Sequence, residues 1–225
     1  MTTDTQDLLR LFQLVSPSFP TGAFSYSQGL EWAVECGWVK NRNTLVDWLG
    51  SVLRSGFQEL EIPLVKRMYE AVCINDPATF VYWRNYLIAS RETMELRLEE
   101  QNRGRAMASV LRSMGDESDD NWLERVQPSQ AAGFAYAAVR WGIGCQEALV
   151  GYTWNWLENS VMAALKLLPL GQTAGQTVLN EMLDHCRKAV ECGMICQDDA
   201  IGGSCPALAI ASSLHETQYT RLFRS

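Results

Sequence analysis

The sequence has few basic residues and no long apolar run, and each shortage argues against a class of function. Lysine and arginine total 19 against 26 aspartates and glutamates, which gives the 225-residue chain a formal net charge of −7. Because binding to a nucleic-acid backbone needs a basic groove, this balance argues against a nucleic-acid-binding protein. The longest apolar run, residues 131–139, has nine residues, whereas a membrane-spanning helix needs roughly 20.

A recognisable export signal and a regular cysteine framework are also missing. The first seven residues are polar and acidic, whereas a secretory signal has a basic segment followed by an apolar one, so no signal is expected. The seven cysteines are odd in number and irregularly spaced, which is typical of reduced thiols in a cytosolic protein. We therefore expect a cytoplasmic, packed globular protein.

No motif for catalysis is complete. The sequence contains neither a glycine-rich loop followed by lysine and serine or threonine, which would hold a nucleotide, nor a Gly-x-Ser-x-Gly nucleophile motif. The only histidines are His185 and His215, and an ordinary structural role is favoured for both. A helical hydrolase is therefore poorly supported, because no pair of nucleophile and base can be named, and no cofactor is expected.

One region raises the question of a metal site. Four cysteines lie close to His185, namely Cys186, Cys192, Cys196 and Cys205, and thiolate and imidazole ligands suit zinc or nickel. Their spacing is not that of a structural zinc site, which uses close pairs of ligands. No metal ligand is assigned, and a metal-binding chaperone that uses this region is the alternative function.

The hydrophobic pattern is helical almost throughout. It predicts a single all-α domain over residues 1–225, a bundle of roughly nine or ten helices. Asp76-Pro77 is the clearest helix start, because aspartate caps a helix and proline suits its first turn. Ser25 is expected to cap a helix that ends at Gly37, and Asn43 or Thr44 to cap the next one.

Three stretches are harder to explain by core packing alone. The first is residues 16–31, and the second is the charged segment 91–105, which belongs to a helix with Met94, Leu98, Ala106, Val110 and Met114 on one side. An acidic loop at Gly115–Asp120 is the expected mobile connection. The third stretch, residues 215–225, is called the tail. It carries aromatic and arginine side chains that suit an interface, and it is expected to be flexible until it docks on its own domain or on a partner.

Read together, these stretches resemble the urease accessory protein UreF family. The matching motifs are Ser16-Pro with Ser25-Tyr-Ser-Gln-Gly-Leu-Glu31, Arg91-Glu-Thr with Glu95-Leu-Arg97 and Asn102-Arg-Gly104, Lys166-Leu-Leu-Pro-Leu-Gly-Gln172, and His215-Glu-Thr-Gln-Tyr-Thr-Arg-Leu-Phe-Arg-Ser225. They occur in the expected order almost from end to end of the chain. One departure is Thr220, where many family members have serine.

The resemblance implies an all-α protein, usually a homodimer, that is not itself an enzyme. Such proteins bind the accessory protein UreD, called UreH in some systems, and the GTPase UreG. Together they load nickel into the urease apoprotein. Both activation of the GTPase and a checkpoint on it have been proposed for the family.

The resemblance also suggests roles for individual residues. The tail residues His215, Glu216, Tyr219, Arg221, Leu222, Phe223 and Arg224 are expected to bind UreD/UreH. The motif residues Tyr26, Gln28, Glu31, Lys166 and Gln172 are expected to face UreG or to line the path of the metal. Arg91, Glu92, Glu95 and Arg97 are expected to form structural ion pairs.

A protein without a nucleotide site has two physical ways to influence a GTPase. It can bind the nucleotide states of the GTPase with different affinities, or it can supply an arginine finger, worth about 10³–10⁵ in rate. Arg221 and Arg224 are finger candidates. Because a tail that docks on UreD is not free to reach UreG, the scaffold is the preferred interpretation.

Overall fold

A computed structural model describes residues 4–115 and 120–225 of the chain. The helices are α1 (Thr5–Val15), α2 (Leu30–Glu35), α3 (Arg42–Val52), α4 (Ile62–Cys73), α5 (Pro77–Ala89), α6 (Met94–Ser113), α7 (Asp120–Val126), α8 (Gln130–Arg140), α9 (Cys145–Leu167), α10 (Gln172–Ile195) and α11 (Pro206–His215). A π-helical segment, Leu53–Glu61, joins α3 to α4 without a break. With that rod counted once, the described residues form ten α-helical rods and contain no strand, which confirms the predicted all-α fold.

None of the helices in the described residues has the length and apolar character needed to cross a bilayer. The acidic loop predicted at Gly115–Asp120 lies, for residues 116–119, outside the part of the chain that the structure describes.

Helix starts follow the capping rules, although not always at the predicted residue. The side chain of Asp76 accepts hydrogen bonds from the backbone N–H groups of Ala78 and Thr79, which confirms the start of α5. The cap of α3 is Asn41 instead of Asn43 or Thr44, because Asn41 and Thr44 form a reciprocal capping box. The capping box lies at the start of the helix, where the sequence pattern does not distinguish Asn41 from Asn43.

The start of α2 also differs from the prediction. Ser25 ends a short 3₁₀ turn, Ala23–Ser25, and α2 begins only at Leu30. In between, Gln28 and Gly29 have left-handed backbone conformations, with φ of 54° and 78°. A helix cannot continue through two such residues, so α2 begins at Leu30, four residues after the start that a cap at Ser25 predicts.

Helix α8 forms the centre of the bundle, and α4, α6 and α9 pack around it. Most of its residues are buried, including Phe134 and Tyr136. Its alanines and Gly133 allow this close packing, because a Cβ on Gly133 would lie 2.5 Å from the Met107 side chain. Gly104 of α6 likewise touches the backbone that leads into α8, so α6 and α8 are held at short distance.

Helix α6 buries three glutamates together with apolar side chains. Met94 is 58% exposed, Leu98 44% and Met114 39%, so the apolar side noted in the sequence does not face the core. The buried side carries Glu95, Glu99 and Glu100 beside Leu96, Met107 and Leu111. This orientation is possible because each of these carboxylates has cationic or hydrogen-bonding partners inside the fold.

The π-helical segment accommodates a proline in the middle of a long rod. Pro63 has no N–H to donate to the carbonyl group of Glu59, and that oxygen accepts a hydrogen bond from the N–H of Gly202 at 3.0 Å instead. The neighbouring Gly203 packs against the backbone oxygen of Ser55, where a side chain would not fit. The loop before α11 therefore replaces the helical partner that proline removes.

Candidate interaction surface around the tail

The tail is packed against its own domain, in contrast to the flexible tail expected from the sequence. The carboxylate of Glu31, in α2, accepts hydrogen bonds from the N–H groups of Leu222 (2.6 Å) and Phe223 (2.9 Å). The Phe223 side chain is 5% exposed, and the Lys166 ammonium lies 5.4 Å from the centroid of its ring. A cation–π contact of this kind adds to the burial of the ring. Glu31 and Lys166, predicted to face UreG or the metal path, thus hold the tail.

A histidine between two glutamates holds the start of the tail. The imidazole of His215 is fully buried, with Nδ1 2.7 Å from Glu95 Oε2 and Nε2 3.2 Å from Glu31 Oε2. Each ring nitrogen therefore faces a carboxylate oxygen, which is a hydrogen-bond acceptor. Arg221 brings a guanidinium to the same cluster, because its Nη1 lies 2.6 Å from Glu95 Oε1. The predicted partner contacts His215 and Phe223 are therefore buried against this domain and have no surface to offer in this conformation.

The last residue lies in a pocket of backbone donors. The N–H groups of Ser27 and Gln28 donate to the main-chain oxygen of Ser225 at 2.6 and 3.0 Å, and the Ser27 hydroxyl donates to the same oxygen at 2.6 Å. The Ser225 hydroxyl donates to Glu99 at 2.9 Å. Successive N–H groups that point at one oxygen form a backbone nest, and here the left-handed conformation of Gln28 creates it.

The side chain of Gln28 connects this nest to the interior. Its amide nitrogen donates to Glu99 Oε1, and its amide oxygen accepts from Trp156 Nε1, both at 2.9 Å. Nearby, the hydroxyl of Tyr26 accepts a longer hydrogen bond from Asn102. Gln172, the fifth motif residue, is exposed at the start of α10. Four of the five residues predicted to face UreG or the metal path thus lie close to the tail or its nest.

Arg91 joins two buried glutamates. Its guanidinium forms a short ion pair with Glu61 at the end of the π-helical segment, and its other nitrogen lies 2.8 Å from Glu100 of α6. Burial alone would lower the pKa of Arg91, but the two carboxylates raise it well above its ordinary value. The Tyr152 hydroxyl also donates to Glu61, and burial and that carboxylate raise the pKa of Tyr152.

The other predicted ion-pair residues have different partners. Glu95 binds His215 and Arg221 as described, whereas Glu92 accepts a hydrogen bond from the Ser204 hydroxyl. Arg97 donates to the backbone carbonyl of Arg91 at 2.6 Å. Sequence reasoning missed Glu61, Glu99 and Glu100, which the pattern left among solvated charges. On α6, Glu100 lies one turn after the buried Leu96 and two turns before the buried Met107, and this helical spacing was the available signal.

Part of the tail remains on the surface. Tyr219 is fully exposed and Leu222 is 63% exposed, while Arg224 is also exposed. Met94 and Leu98, two exposed apolar residues of α6, lie before and after Glu95 in the sequence, and Glu95 binds the tail through Arg221. We call these four apolar residues, Tyr219, Leu222, Met94 and Leu98, the tail surface. Glu216 is another residue predicted to contact the partner, and its carboxylate accepts a hydrogen bond from the N–H of Glu95.

The cysteine region does not assemble into a metal site. Among residues 4–115 and 120–225, no group of three or more His, Cys, Asp or Glu side chains is placed to hold a metal ion. Burial raises the pKa of Cys186 to about 12, so its thiol is protonated at neutral pH. Cys192 is exposed, Cys205 is buried, and His185 packs beside Gly50 of α3. These residues therefore have separate environments.

Glu100 makes the free energy of unfolding depend on pH. Burial would raise its pKa, but Arg91 and hydrogen bonds from Ser129 and Ala131 outweigh burial and lower the pKa. Such a carboxylate stabilises the fold above its unfolded pKa, about 4.3, and loses this contribution as the pH falls toward the lower, folded value. The difference in unfolding free energy between wild type and Glu100→Gln should be constant above about pH 6 and shrink below about pH 4. Urea titrations over this range would contradict the assignment if the difference stayed constant.

Comparison with known proteins agrees with this architecture. Residues 39–183 match the family model for UreF. A urease accessory protein UreF from Alcanivorax borkumensis is 52% identical over 224 residues, covering 96% of this chain and 97% of its own. The proteins of the same name from Pseudomonas entomophila and Enterobacter sp. (strain 638) are 44% and 42% identical, with at least 96% of each chain covered. The chain therefore belongs to the UreF family of urease accessory proteins.

Proposed function

We propose that this chain is a non-enzymatic adaptor that bridges UreD/UreH and the GTPase UreG during delivery of nickel into the urease apoprotein. In this proposal it acts in the cytoplasm, as a homodimer, and its effect on UreG is through binding. Membership of the UreF family supports a role in urease maturation. The specific partners rest on the resemblance of the tail and of the opening motif.

The observation that carries the proposal is the tail surface. Tyr219 and Leu222 are large, exposed side chains in a segment without regular structure, and Arg221, which lies between them in the sequence, pairs with Glu95, the neighbour of the exposed Met94. Below them, Glu31, Glu95 and His215 fix the backbone of the tail. Aromatic and aliphatic residues on a fixed backbone are suited to an interface, because little conformational entropy is lost on binding. We assign this surface to UreD/UreH.

The same contacts favour a scaffold over an arginine finger. Arg221 is bound to the buried carboxylate of Glu95, so moving it to UreG would leave that carboxylate with one cationic partner fewer. Arg224 is exposed, but its N–H is bonded to the carbonyl group of Ser25 at 2.8 Å. This chain would then influence UreG by binding the nucleotide states of UreG with different affinities.

Direct metal binding through the cysteine region is the less favoured function. The separate environments of Cys186, Cys192, Cys196, Cys205 and His185 do not provide a common site. Nickel titration of the isolated protein separates the two functions. Stoichiometric submicromolar binding that is lost in Cys192→Ala would favour the metallochaperone over the adaptor.

The adaptor is tested by placing a charge on the tail surface. Leu222→Asp should fold normally, because the side chain is already 63% exposed, but it should reduce co-purification with UreD/UreH at least about tenfold, since a charge at an interface core costs about 1.4 kcal/mol or more. The measurement is pull-down of full-length chain with tagged UreD/UreH, followed by circular dichroism of the variant alone.

Ile195→Asp is the matched control. Ile195 is 75% exposed and lies at the end of α10, so the same change in charge occurs outside the tail surface. Co-purification that falls equally in both variants would show a general effect of charge. Full retention of UreD/UreH by Leu222→Asp would contradict the proposed surface.

A further inference from the structure

Gln28 borders three small cavities, each lined by both polar and apolar groups, as well as the tail. The cavities have volumes of about 50, 30 and 20 Å³, and Gln28 is the one residue that lines all of them in the described part of the chain. The first also contacts Glu92 and Ser204, and the third contacts Tyr26 and Ser160. Each is large enough for at least one water molecule beside polar groups. The Gln28 side chain is therefore part of the wall between neighbouring cavities.

The conformation of Gln28 depends on the tail. A residue other than glycine with φ of 54° is held in a sparsely populated region, which costs about 1 kcal/mol or more unless surrounding contacts compensate. Those contacts are the Ser225 oxygen on its N–H, and Glu99 and Trp156 on its side chain. When Ser225 leaves, the nest loses its ligand and the strained conformation loses a stabilising bond.

The tail is also the part of this region that is easiest to detach. It has no regular secondary structure after residue 215, and Phe223 is its only buried large apolar side chain. Its contacts with the domain are mainly hydrogen bonds and ion pairs, and segments with little buried apolar area open at lower free energy than the core. Tail detachment is thus a local event that can happen while the helices stay folded.

We propose that Gln28 is a positioning residue that transmits the docked or detached state of the tail to the polar interior. With the tail docked, Gln28 holds the Trp156 indole and separates the cavities. With the tail detached, Gln28 leaves the left-handed conformation, releases Trp156, and lets the cavities join. The use of this coupling rests on the proposed function, because UreD/UreH bound to Leu222 and Tyr219 would favour the docked tail and so keep Ser225 bonded to Gln28.

The coupling can be measured in the isolated, full-length protein by hydrogen exchange. Phe223→Asp should detach the tail, because burial of an unpaired carboxylate is strongly unfavourable. The exchange rate of the Arg224 amide measures detachment of the tail. The exchange rate of the Trp156 indole N–H measures loss of its hydrogen bond to Gln28, and the Trp156→Phe variant assigns that signal. We expect both to accelerate about tenfold or more, while the Trp122 indole, bonded to Asn75, stays unchanged.

Two control variants separate the steps. Tyr219→Asp makes the same substitution at a fully exposed tail residue and should change neither rate. Gln28→Gly keeps a residue that adopts the left-handed conformation readily, so the Arg224 amide should stay protected while the Trp156 indole exchanges faster.

The coupling is overturned if Phe223→Asp accelerates exchange of the Arg224 amide but not of the Trp156 indole N–H. It is also overturned if exchange of the Trp122 indole N–H accelerates to the same extent, because that would indicate general loosening of the fold. An Arg224 amide that stays protected in Phe223→Asp would also overturn it, because the tail would then not be held as described. No partner protein is present in this experiment, so failure here is distinct from loss of UreD/UreH in the pull-down.

Discussion

Arg91→Met should lower the free energy of unfolding by about 3–5 kcal/mol, the cost of removing one partner from a buried ion pair. Methionine keeps an unbranched chain as far as the position of Nε and lacks the guanidinium group, so most of the loss is expected to be electrostatic. Without the guanidinium, Glu61 and Glu100, each about 6% exposed in its side chain, would face each other in a polar but water-poor interior. The measurement is urea denaturation at pH 7 followed by circular dichroism.

Arg187→Met is the matched control for this experiment. Arg187 also pairs with two carboxylates, Asp184 and Glu191, but its side chain is 55% exposed on α10. Exposed pairs contribute little because water and salt screen them, so the control should leave the denaturation midpoint nearly unchanged. Equal midpoints for the two variants would mean that the Arg91 pairs are screened by water as well, and that the buried network does not stabilise the fold.

A triple variant of the same ion cluster distinguishes the effect of a buried unpaired charge from the effect of lost packing. In Arg91→Met combined with Glu61→Gln and Glu100→Gln, no unpaired charge remains, and most of the lost stability should return. Replacement of a whole buried ion cluster by neutral groups is often close to neutral. A triple variant as unstable as Arg91→Met alone would attribute the loss to packing around residue 91.

The helices were predictable because their signals are local. Asp76-Pro77 marks a helix start through contacts within four residues, and the Asp76 side chain makes the capping bonds expected of it. The errors arise where a distant segment decides the conformation. The helix predicted from Ser25 is shortened because Gln28 has a left-handed conformation, in which its N–H binds the distant residue Ser225.

The arrangement of the tail was not predictable for the same reason. From composition, the tail is equally suited to its own domain and to a partner, and nothing local identifies Glu31 as the acceptor for Leu222 and Phe223. Nor does periodicity show that α6 buries Glu95, because a glutamate on an amphipathic helix normally faces water. Only the position of His215 and Arg221 in space makes that burial favourable. The family motifs named these residues, whereas the structure shows what joins them.

Glu31→Gln should detach the tail without unfolding the domain. The carboxylate of Glu31 accepts hydrogen bonds from the N–H groups of Leu222 and Phe223 and faces His215. Glutamine has the same shape, but it has only one acceptor oxygen and no charge, and its amide group can point an N–H at another donor. Hydrogen bonds to a charged group contribute about 1.5–3 kcal/mol each, so amide exchange at Leu222 and Phe223 should accelerate about 100-fold.

Glu35→Gln is the control on the next turn of α2. Glu35 is exposed and contacts the tail only through the side chain of Gln218, so the exchange of Leu222 and Phe223 should not change. Because a detached tail has to be ordered again when it binds, Glu31→Gln should also bind UreD/UreH more weakly than Glu35→Gln does. Tighter binding by Glu31→Gln would contradict this order of events, since it would mean that the docked tail competes with the partner and that the detached form is the one that binds.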